Sequence, residues 1–243
     1  IRMRHVSADV GSDFLTCWLY SQPDVIVTTS DDIKNYLRKT FSGSDDRYSC
    51  VSTGVDTRRF SLVAREESES LRSQLGVSQS QKIALMVSTL RTWKGHEYAI
   101  RALSELEDWK LLIVGDGPQE EYLRQLVRDL DLSKRVVFLG FDAHVERFLH
   151  IADVFLQPSL RHEGISQSLL QAGSVGLPVI ASDIGGLNEV IEHEKTGLLI
   201  PPGSVECLVE AIRKYDTRQA DRESLGYSLS RTVRSKFSQE SMF

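Results

Sequence analysis

The chain has 243 residues and is 41% hydrophobic, which is enough apolar material for one large domain or two smaller ones. Its net charge of −5 at pH 7 argues against sequence-independent binding of nucleic acid, because neutralising phosphates needs a basic surface. The three cysteines are widely spaced and form no Cys-x-x-Cys pair, so neither a disulfide framework nor a zinc site is indicated.

The first predicted elements are short strands around one helix. A β-branched run over 24–29 predicts a buried strand, and Ser30 is a good N-terminal cap for a helix over 33–41. A further strand is predicted over 48–52. We interpret 1–52 as the remnant of a first domain. We divide the remaining chain into a linker over 53–60 and a second domain over 61–243, which ends in a helical tail.

Strands and helices alternate regularly in the second domain. Strands are predicted over 82–87, 110–114, 136–139, 153–157, 178–181 and 197–200. Helices are predicted over 98–106, 119–130, 144–151, 165–175, 187–191, 205–215 and 222–237. Apolar, nearly non-alternating strands joined by helices indicate an α/β fold, namely a Rossmann-like parallel sheet with helices on both faces.

Glycines and charged residues concentrate in the loops that follow the predicted strands. Because the carboxyl ends of parallel strands lie at one edge of a sheet, where ligands of open α/β folds bind, we expect a binding site there. The loop after the fourth of these strands is the most informative. Glu163 and Gly164 precede a helix whose first turn carries Ser166, Gln167 and Ser168.

A helix start of this kind binds anions through its unpaired backbone N–H groups. An acid just before it can accept hydrogen bonds from sugar hydroxyls. One loop suited to both a phosphate and a sugar suggests a nucleotide-sugar as ligand.

Several segments together resemble a known family. They are VSTGVDTRRF (51–60), MVSTLRTWKG (86–95), LLIVGDGP (111–118), the segment from Glu163 to Gln171, PVIASDIGGLNE (178–189) and TGLLIPP (196–202). Each is weak alone, but their order matches the retaining glycosyltransferases of the GT-B fold, family 4, also called glycosyltransferases group 1. The resemblance covers about residues 25–240 and implies that the second domain is the donor-binding half.

The resemblance implies four candidate catalytic residues. Glu163 would bind the donor sugar, and Lys94 would compensate charge on the diphosphate. Thr89 occupies the position of the family's arginine, so Arg91 either takes over that role or is a solvated cation beside Trp93. His5 either faces the cleft, as a histidine of the family does, or is structural.

The resemblance also implies which residues contact the nucleotide. Gln171 stands where the family has a second glutamate that binds the ribose; an amide can still accept such a hydrogen bond, but without its charge-assisted strength. The other candidates are backbone groups of the strand-following loops and helix starts: Gly115, Gly117, Gly164, Ile165, Ser166, Gln167, Gly185 and Gly186. For the two glycines of GDGP, a tight turn is the alternative.

The activity implied is transfer of a hexosyl-type sugar from a nucleotide-sugar to a carbohydrate or lipid-linked acceptor, in polysaccharide or lipopolysaccharide synthesis. We expect no metal and no cofactor beyond the donor substrate. No apolar run reaches the roughly 20 residues that span a bilayer, so we expect a cytoplasmic protein, peripheral on the inner face of the plasma membrane at most. Two alternatives stay open: a donor-binding subunit whose partner chain supplies the missing N-terminal half, and a nucleotide-sugar epimerase.

Overall fold

The computed structural model describes residues 2–4, 10–11, 13–41, 45–61, 66–78, 80–161 and 163–242. Its strands are β1 (Arg2–Arg4), β2 (Ile26–Thr28), β3 (Tyr48–Cys50), β4 (Lys82–Val87), β5 (Trp109–Val114), β6 (Val136–Gly140), β7 (Val154–Gln157), β8 (Val179–Ser182) and β9 (Leu198–Ile200). Its helices are α1 (Phe14–Ser21), α2 (Asp31–Thr40), α3 (Glu66–Gln74), α4 (His96–Leu103), α5 (Glu120–Asp129), α6 (Glu146–Ile151), α7 (Gln167–Ser174), α8 (Leu187–Val190), α9 (Val205–Thr217) and α10 (Gln219–Lys236).

The larger sheet has six parallel strands in the order β6-β5-β4-β7-β8-β9. The chain runs outward from β4 to β6, and then returns to the other side of β4 with β7. The loops that follow the neighbouring strands β4 and β7 therefore lead to helices on opposite faces of the sheet, α4 and α7. This is the topological switch point, where open α/β sheets form a ligand crevice.

Helices cover both faces of this sheet, because alternate residues of its strands enter two separate cores. Ala84 and Met86 of β4 pack with α4, α5 and α9. Ile83 and Leu85 pack with α6, α7, α8 and α10. The predicted α/β fold with a doubly covered parallel sheet is confirmed. Among the described residues, no helix is long and apolar enough to cross a membrane.

The predicted boundaries of the larger sheet are close to those observed. Each of its strands lies within one residue of the prediction, and its helices lie within three. Two helix starts differ for identifiable reasons: α4 begins directly after Gly95, which has a left-handed backbone, and α7 begins after Ser166, whose hydroxyl caps it. The prediction omitted α1, whose apolar residues are largely exposed and so give no core-facing pattern. It also omitted α3, whose sequence is mostly polar.

We call residues 2–50 the first unit and residues 66–242 the second unit. The first unit has a parallel sheet in the order β1-β2-β3, and its core contains Tyr20, Ile26, Ile33, Leu37 and Tyr48. Along the chain, the predicted linker over 53–60 lies between the strands of the two sheets. The division into domains stays a prediction. This segment is fixed to the second unit, since the Val55 N–H donates to the Phe237 carbonyl over 2.8 Å.

Candidate functional site

The loops after β4 and β7 pack directly on each other at the switch point. The β4 loop ends in a short 3-10 turn, Thr92–Lys94, followed by Gly95 with φ 76°. A Cβ at Gly95 would collide with the carbonyl oxygen of Pro158, so only glycine allows this approach. The Leu160 N–H also donates to the Trp93 carbonyl over 2.7 Å. These contacts place Lys94 beside the loop that carries Glu163.

Lys94 and Glu163 form an ion pair, with 2.7 Å between Nζ and Oε1. The Ser159 hydroxyl donates to the same carboxylate oxygen over 2.7 Å. Glu163 is only 4% exposed, whereas the Lys94 side chain is 20% exposed. The structure thus brings together the two residues that the sequence predicted for sugar and diphosphate. It adds Ser159, which the prediction missed although the residue lies in the loop that follows β7.

The start of α7 lies immediately after this loop. The Ser166 hydroxyl accepts from the Leu169 N–H, which caps the third residue of the helix. The N–H groups of Gln167 and Ser168 meet no acceptor among the described residues. Gln171 lies one turn further along the same open face of α7, and is half-buried. The helix therefore presents free donors at its positive end, a few residues after Glu163.

The loop after β8 closes on the backbone of Glu163. The Gly186 N–H donates to the Glu163 carbonyl over 3.1 Å. A Cβ at Gly186 would lie only 2.5 Å from the carbonyl carbon of Gly164. Gly186 thus permits close packing between two loops and helps to fix the backbone that carries the buried carboxylate, while Gly185 has a left-handed backbone with φ 49°.

The loop after β5 supports the β4 loop from its other side. The Leu90 N–H donates to the Asp116 carbonyl over 2.7 Å, and the Gln119 N–H donates to the Leu90 carbonyl over 3.1 Å. The space that side chains at Gly115 and Gly117 would need is occupied by the carbonyls of Ser88 and Leu90. Both glycines are therefore explained by loop packing; their predicted contact with a nucleotide stays a prediction.

The other two candidate catalytic residues are Arg91 and His5. The Arg91 guanidinium lies over the Trp93 ring, 5.5 Å from its centroid, on an exposed part of the loop. This position corresponds to the alternative in which Arg91 is a solvated cation. His5 lies outside the described residues.

His96 is a buried histidine beside the ion pair that the prediction did not assign. Its Nε2 lies 3.1 Å from the Ser88 hydroxyl, and its Nδ1 has no hydrogen-bond partner among the described residues. Burial, together with the charge of Lys94, lowers the pKa of His96 to about 4. The ring is therefore neutral at pH 7, and it contacts Ser88 of the β4 loop without adding a second positive charge near Lys94.

Away from the switch point, the described residues offer fewer groups for binding or catalysis. The described ranges hold no group of three side chains suited to a metal ion. A cavity of about 1120 Å³ lies at the opposite, amino end of β7. Asp153 in its wall accepts from the Ile83 N–H and faces Arg72 and Arg222 at 3.8 and 4.0 Å. Because these charges already compensate one another, we favour the switch point as the site.

A family model matches most of the chain. Residues 67–229 match the family model described as glycosyl transferases group 1. This chain belongs to that family. The match contains both Lys94 and Glu163 and every loop at the carboxyl edge of the larger sheet.

The chain is also similar to individual members. It is 32% identical to the N-acetyl-alpha-D-glucosaminyl L-malate synthase of Bacillus anthracis, over 75% of this chain and 47% of that protein. It is 30% identical to the amylovoran biosynthesis glycosyltransferase AmsK of Erwinia amylovora, over 80% of this chain and 48% of that one. The chain thus spans about half the length of the curated relatives it matches.

The fold is that of solved glycosyltransferases. The crystal structure of the Anabaena protein HepE in complex with UDP superposes with a TM-score of 0.90 at 21% identity. The match covers 99% of this chain and 68% of that protein. At this identity the likeness establishes the architecture alone.

Proposed function

We propose that this chain carries the donor-binding part of a retaining glycosyltransferase that moves a hexosyl-type sugar from a nucleotide-sugar to an acceptor hydroxyl. The observation that carries the proposal is the contact of Lys94 with Glu163 at the switch point, on the loop that leads into the free N–H groups of α7. Family membership supports transferase chemistry. HepE, which shares the fold, has been solved with UDP and with UDP-glucose.

The geometry suits a division of labour between the two charged residues. Lys94 has three donor hydrogens, so it can keep one on Glu163 and give another to a phosphate oxygen. The N–H groups of Gln167 and Ser168 would hold the same diphosphate, while the Glu163 carboxylate would accept from sugar hydroxyls. Ser159, already bound to that carboxylate, would fix its orientation.

In such a transfer the leaving nucleoside diphosphate gains negative charge as the bond to the sugar breaks. A cation and helix N–H groups that are already in place stabilise that charge without reorganisation. The buried setting strengthens each of these interactions. These residues alone can supply the charge stabilisation, so the proposal requires no metal.

Titration calorimetry with UDP, GDP and ADP tests the proposal. We expect one of them to bind the wild-type chain, and Lys94→Ala to weaken that binding at least tenfold through the lost charge-assisted bond. Lys134→Ala, which removes an exposed lysine, is the matched control and should bind normally. Glu163→Ala should bind the free nucleotide normally but lose turnover of the nucleotide-sugar. Equal losses for both ligands in Glu163→Ala would contradict this division.

A second candidate is a donor-binding part that transfers the sugar only together with an acceptor-side half. Binding of a nucleoside diphosphate with neither transfer nor hydrolysis would support it. The pathway that we infer is cell-envelope polysaccharide or lipopolysaccharide synthesis, on the cytoplasmic side, because AmsK takes part in amylovoran biosynthesis. Conversion of a lone nucleotide-sugar into its epimer, seen by proton NMR, would contradict the transferase assignment.

A further inference from the structure

Glu189 connects the second unit to the first. It is the third residue of α8, a single helical turn after the β8 loop. Its carboxylate accepts from the Asp31 N–H over 3.1 Å and from the Asp32 N–H over 2.9 Å. These two N–H groups belong to the first turn of α2, in the first unit. One side chain thus caps a helix that lies more than 150 residues away in the sequence.

The capped helix is a fixed part of the first unit. Ile33 and Leu37 of α2 are fully buried in that unit's core. The Ser30 hydroxyl accepts from the Ile33 N–H over 3.3 Å, so Ser30 and Glu189 together satisfy the first three N–H groups of α2. Because α2 is packed into the core of the first unit, a displacement of its first turn would move that unit with it.

The other end of the connection lies at the candidate site. Gly186, three residues before Glu189, donates its N–H to the Glu163 carbonyl and has no room for a side chain. Asn188 Nδ2 donates to Asp183 Oδ1 over 2.7 Å, which further fixes the turn. A short, continuous set of contacts therefore runs from the backbone of Glu163 through α8 to α2.

We propose that Glu189 is a positioning residue that holds the first unit against the donor loop, so that the position of α2 and the placement of Glu163 depend on each other. The inference rests on the proposed function, since it assigns the first unit to the acceptor side of the same reaction. Burial, together with repulsion from Asp31 and Asp32, raises the pKa of Glu189, whereas the two hydrogen bonds favour its charged form.

Hydrogen exchange of the whole, ligand-free chain tests the contact itself. In Glu189→Ala the Asp31 and Asp32 amides should exchange about tenfold faster, because two charge-assisted hydrogen bonds are lost. Glu189→Gln, which keeps one acceptor oxygen, should give an intermediate rate. Glu192→Ala, which removes an exposed acid shortly after α8, is the control and should match the wild type. Equal exchange in Glu189→Ala and wild type would overturn the proposal.

Turnover tests the positioning role, using whichever UDP-, GDP- or ADP-linked sugar the wild type consumes. Glu189→Ala should lower kcat about tenfold, while the Kd of the free nucleotide stays within twofold, and Glu189→Gln should recover part of kcat. Faster exchange with unchanged kcat would reduce Glu189 to a structural contact and overturn the positioning role. A wild type that binds none of these nucleotides would instead contradict the proposed function, and the exchange rates would still decide whether the contact exists.

Discussion

Lys94 and Glu163 pair across the switch point of the larger sheet, with 2.7 Å between their charged atoms, although 68 residues separate them in the chain. The two side chains differ in exposure, because the carboxylate is almost fully buried and the ammonium is not. Breaking a buried pair from one side leaves an uncompensated charge, which is more destabilising than removing both partners. The pair therefore contributes to stability as well as to the proposed binding.

Single and double substitutions of this pair should not be additive. Lys94→Ala should lower the free energy of unfolding by about 3 kcal/mol, because the nearly buried carboxylate of Glu163 would lose the cation that is paired with it. Glu163→Ala should lower it less, since Lys94 can turn towards water. Urea unfolding of both variants and of the double variant measures the coupling, which we expect to be about 2 kcal/mol. Additive effects would show that the pair is not formed.

Gly95→Ala tests the loop contact that positions Lys94. It should reduce the free energy of unfolding by about 3 kcal/mol, through the left-handed backbone and the collision with Pro158. Gly140→Ala is a matched control: Gly140 has φ 69°, but its Cβ would meet nothing within 4 Å. That variant should lose only about 1 kcal/mol. Equal losses in the two variants would exclude the collision, and with it the tight approach of the loops.

The buried His96 should make stability depend on pH. Its folded pKa of about 4 lies below the ordinary value of 6.5, so between these values the unfolded chain binds more protons and stability falls as the pH falls. From pH 7 to 5 the wild type should lose about 2 kcal/mol more than His96→Gln, which has no such titration. Urea unfolding at both pH values measures this difference. Parallel losses in the two proteins would mean that His96 is not buried in its neutral form.

Gln171→Glu tests the predicted ribose contact on α7. A carboxylate at this position should bind the nucleotide several-fold more tightly, because a charge-assisted hydrogen bond replaces a neutral one. Gln167→Glu, one turn earlier on the same face, should instead weaken binding by repelling the diphosphate at the helix start. Calorimetry on both variants measures whether each substitution raises or lowers the affinity for the nucleotide. A change in the same direction for both would place the nucleotide elsewhere.

The sequence was informative where a local pattern determines structure. Apolar strands and capped helices predicted the larger sheet, and the strand-following loops predicted that Lys94 and Glu163 share one edge. The sequence did not reveal Ser159 as a partner of Glu163, because that contact depends on how the loop after β7 folds back on itself. It did not reveal Glu189 as a cap on α2, because that contact depends on how two distant segments pack. Likewise, Gly115 and Gly117 resembled a nucleotide-binding turn in sequence, whereas the structure explains them by the backbone of the β4 loop.

The most direct test of the central claim is a titration of the ¹⁵N-labelled chain with the nucleoside diphosphate that binds best, followed by amide NMR. The account predicts that the Gln167 and Ser168 amides, at the start of α7, shift progressively and saturably, and that amides around Asp153 at the opposite end of β7 do not. Saturable shifts around Asp153 with none at the start of α7 would contradict it.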